Sequence, residues 1–441
     1  MPGFGFTPDN GDEDESKGNN PFGFENFGEI FKQFSGMGLN LPALMASLSG
    51  QASPASLSKE MIRDISRKYL SAHGEVPVTV EDLAQIQEAI NIADLWINEA
   101  TTFPALPLTD SIALSRRDWI DSTLTGWQEL TKPLVDSMSA ALSSMLDQGL
   151  DGQGEDNGIS IPGLGPMSIS KSSINAIMAT FMSSLISTQL GQSIGALSTT
   201  VTGANDVALP LSKDIKAQLL PQNVRAWGSG LEIQEAEIRI YLALREIAAA
   251  RLFKQSPWLS GYIGEVISAY GSGIRIDINA ITQSAQDAMD SGAIDPSNPE
   301  SMASALSGGL FTPETSASQS AALEKLETLL ALIEGWIDAV VVKAATDRLP
   351  SLIKLRESQA RSRATNSPTQ LLFATLLGLE VSPRLTREAI SFWEKIEKID
   401  SISARDKIWE EAFLLPTASQ LLDPEGFSKS RKIPDDLSGL I

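Results

Sequence analysis

The sequence predicts a mainly α protein: a multi-helix scaffold with long central helices and little β. Three stretches carry that expectation. Leu231–Trp258 has no Pro or Gly in its body and places Leu242, Arg245, Ala249 and Leu252 at spacings of three and four, one side of a helix, with Pro257 as its stop. Ala317–Leu349 is a second long helical stretch, ended by Pro350. From Ser172 to Asn205 there is no charged residue, yet Ser, Thr and Gln are frequent, and Gly191, Gly195 and Ala196 permit close helix approach. That composition suits a buried helix of a bundle better than a membrane span.

The other elements follow in chain order. Residues 1–24 are Gly-, Asp- and Glu-rich and read as disordered. Residues 25–55 form a Phe-rich arm, with Phe27, Phe31 and Phe34 among its aromatics. Residues 56–425 read as one helical body, with a sub-boundary at the Gly/Pro/Asp stretch 148–166. Within the body, Leu57–Ala72 and Val80–Ala100 read as helices, the second capped by Thr79 with Asp82 three residues on. His73, beside Gly74, suits a helix C-terminus. Phe103–Pro107 is a linker, and Thr109–Trp119 and Trp127–Leu146 are two further helices. Val207–Leu211 is a short strand or extended connector. Beyond Trp258, helices are expected at Gly261–Tyr270, Ile276–Met289, Leu352–Arg363, Thr369–Leu377, Arg384–Lys398 and Arg405–Phe413, with a loop at Ser291–Thr315. Residues 426–441 should be loose, with the polar stretch beginning at Pro424.

Chemistry concentrates on Leu231–Trp258. The segment Arg245-Glu246-Ile247-Ala248-Ala249 has the spacing of H-E-x-x-H with both histidines replaced. Together with Ser115–Trp127, Gln189–Leu211, Leu326–Asp338, Phe373–Leu379 and Trp409–Thr417, it resembles a bacterial zincin-like family whose members are labelled zinc-dependent metalloproteases or hydrolases. The resemblance runs from about Glu60 to Phe427. In the intact motif, histidines at i and i+4 face one Zn²⁺ and the intervening Glu polarises its water. By resemblance, Arg245 and Ala249 hold the ancestral ligand positions and Glu246 the general-base position. The third ligand falls in Glu334-Gly335-Trp336-Ile337-Asp338, with Glu334 as ligand and Asp338 as a further charge partner.

Arg does not ligate a cation and Ala has no donor atom. The 441 residues contain one His and no Cys, so a zinc site of His or Cys type cannot be assembled from them. The family implies zinc; this sequence implies no cofactor. The expectation is therefore a pseudoenzyme: a zincin-like scaffold without its metal, acting on a protein or peptide partner. Two alternatives stand beside it. One is a hydrolase with a rearranged non-zinc site, Glu246 as base and Glu334 or Asp338 as the second group. The other is a structural or assembly protein acting through the Phe-rich arm. Three carboxylates around a seat without a cation need compensation, and Arg245 is the one positive charge on that face of its helix. Two readings of Arg245 stand side by side: an ion pair to Glu334 or Asp338 that joins the two helices, or a head that swings out to solvent.

Charge and motif content exclude other classes. The formal net charge of −21 is opposite to a nucleic-acid footprint and disfavours anionic membrane surfaces. No P-loop, dinucleotide fingerprint or G-x-S-x-G is present. The absence of Cys and of a secretory-type start predicts a cytoplasmic location.

Overall fold

The computed structural model describes residues 57–107, 112–150, 171–273, 316–366 and 385–431, together with Gln370 and Phe373. The expected disordered start, the Phe-rich arm, the helix 276–289, the helix 369–377 apart from Gln370 and Phe373, the loop 291–315 and all but the first residues of the 148–166 boundary lie outside this set.

Twelve α-helices are present among the described residues: α1 (Lys59–His73), α2 (Val80–Ile97), α3 (Arg116–Leu150), α4 (Lys171–Ser198), α5 (Pro221–Gly228), α6 (Glu235–Gln255), α7 (Trp258–Ser272), α8 (Ala317–Ala345), α9 (Leu352–Asn366), α10 (Thr386–Ile399), α11 (Ile402–Lys407) and α12 (Pro424–Arg431). Extended pairing among these residues is limited to two isolated bridges that join Ala113 and Gly203 to Leu219. The mainly α expectation is met.

Helix α6 is the hub. It packs against α2, α5, α8 and α9, while α8 also meets α7 and α10. From Tyr241 to Phe253 every residue of α6 is buried. This corrects the one-sided helix expected from the spacing of its apolar residues. Neighbours enclose α6 all round, and the buried Arg245 and Arg251 mask that burial in the sequence. Arg251 is held by the Asp94 carboxylate at 2.5 Å, the Asn98 side chain at 2.7 Å and the Phe103 carbonyl at 3.2 Å, which fixes α6 to the end of α2.

Local signals explain most boundaries. Thr79 and Asp82 form a reciprocal capping box on α2, and Ser316 and Gln319 form one on α8. His73 ends α1, its Nδ1 2.9 Å from the Tyr69 carbonyl. Pro257 stops α6 and, as N-cap, starts α7 at Trp258, earlier than the expected Gly261. The two helices expected around Trp119 and Trp127 are one, α3, which carries Gly126 and Pro133 inside it. Both residues are locally unfavourable, but packing of the flanking turns against α1, α4 and α7 keeps the helix continuous.

One alternative is decided and two further expectations are corrected. Val207–Leu211 is a buried turn and connector, the second of the two readings given for it. The expected helix Arg405–Phe413 is the short α11 followed by a 3₁₀ turn at Ala412–Leu414. Pro424–Arg431 is helical rather than loose, because Phe427 is buried against Phe392 with ring centroids 5.2 Å apart. No helix among the described residues is long and apolar enough to cross a membrane. The uncharged α4 packs instead against α1 and α3.

Candidate functional site

The site lies where α6, α8, α9 and the connector after α4 converge. Arg245 projects from the middle of α6 and is only 6% exposed. Its Nη2 pairs with Glu334 Oε1 on α8, which decides between the two readings of this residue in favour of the ion pair. Arg363, from the last turn of α9, reaches the same oxygen through Nε at 3.4 Å. The Arg363 Nη2 also meets Asp206 Oδ1 at 2.5 Å and the Asp206 carbonyl at 2.9 Å. Asp206 Oδ2 accepts from the Thr202 N–H at 2.8 Å and the Thr202 hydroxyl at 3.0 Å. The result is an alternating row, Arg245–Glu334–Arg363–Asp206, of two cations and two anions.

Electrostatics follow from that row. Burial alone would raise the carboxyls of Glu334 and Asp206. The guanidiniums of Arg245 and Arg363 outweigh it at Glu334, and Arg363, the Thr202 N–H and Arg245 together do so at Asp206, so both stay below the usual carboxylate range. Asp338, one turn along α8, takes a different partner: Arg356 of α9, at 2.5 and 3.3 Å. Tyr241, one turn before Arg245, is fully buried, and its hydroxyl has no hydrogen bond of good geometry among the described residues. Burial pushes that phenol up to about 12.

Glu246 faces another neighbourhood. It is 4% exposed and turns toward the connector rather than toward the ion row. Its Oε1 accepts from Asn205 Nδ2 at 2.7 Å, from the Gln218 N–H at 3.2 Å and from the Asn205 N–H at 3.2 Å; Oε2 accepts from the Asn205 N–H at 3.1 Å. No salt bridge reaches it among the described residues. Burial therefore raises its carboxyl to about 8; the amide donors oppose this and the Asp206 charge adds to it. Near neutral pH the group holds a proton. Gly203 closes the far side, where a Cβ would stand 2.2 Å from Glu246 Oε2.

Ala249, one turn beyond Arg245, presents no donor atom. With Leu242, Ala208, Ile337 and the charged residues it lines a cavity of about 10 Å³, the room for about one water. Among the described residues, no group of three or more His, Cys, Asp or Glu is arranged to hold a metal ion. His73 is on α1 and is no part of the site.

Sequence reasoning placed Arg245, Glu246, Ala249, Glu334 and Asp338 on two helices, and the structure brings the first four to one cavity. It missed Asp206, Asn205, Gln218, Arg363 and Arg356. Asp206 had a usable signal, as the residue that breaks the uncharged run beginning at Ser172. The arginines on α9 had none.

The family described as zincin-like metallopeptidase matches residues 59–428. A crystal structure from Chloroflexus aurantiacus, described as "a putative hydrolase with a novel fold", superposes with a TM-score of 0.55 over 86% of this chain and 100% of that one. The two share 16% identity, so the likeness speaks for the fold alone. No curated protein matches this chain significantly.

Proposed function

The chain belongs to the zincin-like metallopeptidase family, and from that premise we propose that it is a metal-free member that binds a protein or peptide partner without hydrolysing it. The observation that carries this reading is the Arg245–Glu334 pair between α6 and α8. A guanidinium stands at the first ligand position of the family motif and satisfies the carboxylate at the third. The second position, Ala249, offers no donor. These residues do not fit a zinc ion. A divalent cation would be repelled by Arg245 and Arg363 and would find Glu334 already held by both.

The arrangement is a cation substituted by protein. A carboxylate facing an interior seat is costly when uncompensated, by several kcal/mol. Arginine supplies a permanent positive charge and a donor fork that stays protonated at any physiological pH. It thereby joins α6 to α8 where the family would place a metal, and the scaffold keeps its shape. The rearranged-hydrolase alternative gains little here. Glu246 holds a proton and sits behind Gly203 and Asn205, and a cavity sized for one water leaves no room for a scissile peptide. The alternative role in assembly falls on residues 25–55, outside the described residues.

Elemental analysis of the purified chain tests the proposal, together with a generic peptidase assay run with and without chelator. The expected result is zinc far below one per chain and no activity above background. Close to one zinc per chain retained through dialysis, or hydrolysis abolished by Glu246→Gln, overturns it.

A further inference from the structure

Helix α9 is attached to the body unevenly along its length. Leu352, Leu355, Arg356, Gln359 and Arg363 recur at spacings of three and four, so one face of the helix carries all five. The apolar part of that face ends within the first turn. Leu355 is fully buried and Leu352 packs partly against the core. The later turns turn inward with Arg356, Gln359 and Arg363 instead. On the outer side Ile353, Lys354, Glu357, Ala360 and Arg361 are exposed. The helix thus grips the body by apolar burial at its start and by charge from its middle to its end.

The start is tied down further. The Ser351 N–H, just before α9, donates to the Glu237 carboxylate on α6 at 2.9 Å, and Arg348, in the turn from α8, pairs with Glu99 just beyond α2. The end depends on two arginines. Arg356 holds Asp338 on α8, and Arg363 holds Asp206 on the connector at 2.5 Å and Glu334 on α8 at 3.4 Å. Arg363 is also the contribution of α9 to the wall of the cavity beside Ala249. A guanidinium that leaves its carboxylate regains hydration, so charged contacts open at a smaller net cost than a buried apolar face. Segments with few buried apolar contacts are the ones that open locally while the rest of a fold stays closed.

We propose that α9 is an ionic strap, hinged at its apolar first turn, whose later turns swing out to admit a partner to the Arg245 site. With the strap shut, the cavity has the room for about one water. With Arg356 and Arg363 released, the wall that Arg363 forms is gone, and Arg245, Ala249 and Glu334 become reachable from solvent. The strap regulates the site of the proposed function and rests on its metal-free reading, in which Glu334 pairs with arginine.

The chain contains no Cys, so a single introduced thiol reports on a single place. Ala249→Cys puts one in the cavity wall, and Leu242→Cys gives a second reporter in the same wall. Ala250→Cys, buried but no part of that wall, is the control for opening of the whole fold. Each full chain is labelled with N-ethylmaleimide under native conditions in the presence of chelator, and the rate is followed by intact mass. The cavity thiols should react faster than the control, in proportion to the open population. Arg363→Gln and Arg356→Gln should each speed the cavity thiols by about tenfold, the worth of one charge-assisted contact, and the control by much less. Arg356 is no part of the cavity wall, so its effect reports the swing of α9 rather than a hole left by a shorter side chain. Equal acceleration at all three thiols, unchanged rates at the cavity thiols, or acceleration by Arg363→Gln alone overturns the strap. None of these results bears on the metal-free reading, which the zinc content decides.

Discussion

Arg245 shows how a single side chain can tie a buried site together. Its guanidinium and that of Arg363 share one oxygen of Glu334, and Arg363 is shared in turn with Asp206. Removing Arg245 leaves a buried carboxylate with one weaker partner at 3.4 Å. Arg245→Met should therefore destabilise the protein by up to about 3 kcal/mol, at the low end for a broken buried pair because Arg363 remains. Adding Glu334→Leu should recover at least about 1 kcal/mol relative to the sum of the two single changes. Urea denaturation of the four proteins in the cycle measures this, and strict additivity would mean that the pair is not coupled. The sequence made Arg245 and Glu246 legible through motif spacing and Glu334 through the family resemblance. It left Glu334 and Asp338 as alternatives for Arg245, because Arg356 and Arg363 come from α9 and no local pattern says which helix faces which. Glu246 was legible as a position but not as a protonated acid, since its state depends on Asn205 and Gln218 in a connector without a recognisable signal.

Helices were easier to read than the contacts between them. The cap at Thr79 and the stop at Pro257 are written in adjacent residues and hold in the structure, and Ser316 caps α8 in the same local way. Less local features were misjudged: α3 runs through Gly126 and Pro133, and α6 is buried on all sides. The small residues of α4 were read correctly as contact points. A Cβ on Gly191 would lie 2.8 Å from the Ile65 Cβ, and one on Gly195 would lie 2.7 Å from the Tyr69 Cβ, both on α1. The Gly335 beside Glu334 does the same between α8 and α10, where a Cβ would meet Ala389 at 2.8 Å. These atoms belong to side-chain roots and backbone, which cannot swing away. Gly191→Val should push α1 from α4 and cost about 1–3 kcal/mol, the usual range for overpacking. A melting temperature equal to wild type would show that the crossing is looser than its geometry.

Across the whole molecule, the buried carboxyls set a stability profile with pH that surface charge alone would not give. Asp206 and Glu334 have folded values held below their ordinary ones of 3.8 and 4.5. Their contribution is present above those ordinary values and is lost as pH falls through the folded ones. Glu246 has the opposite sign. Its folded value is about 8 against an ordinary 4.5, so between those limits the folded chain holds a proton that the unfolded chain has released. Its contribution is fully present below pH 4.5 and is lost as pH rises toward 8. Repulsion within a chain of net charge −21 acts in the same direction. Stability should therefore peak near pH 4.5, where both contributions are present, and fall by a few kcal/mol as pH rises toward 8. Glu246→Gln separates the two causes. The amide mimics the protonated acid, keeping an oxygen toward Asn205 and Gln218 without a titrating proton. It should flatten the alkaline fall to the part owed to net charge and leave the acid limb, governed by Asp206 and Glu334, where it was. Chemical denaturation of both proteins from pH 4 to pH 9 reads this directly. An alkaline slope unchanged by the substitution would place the proton elsewhere than on Glu246.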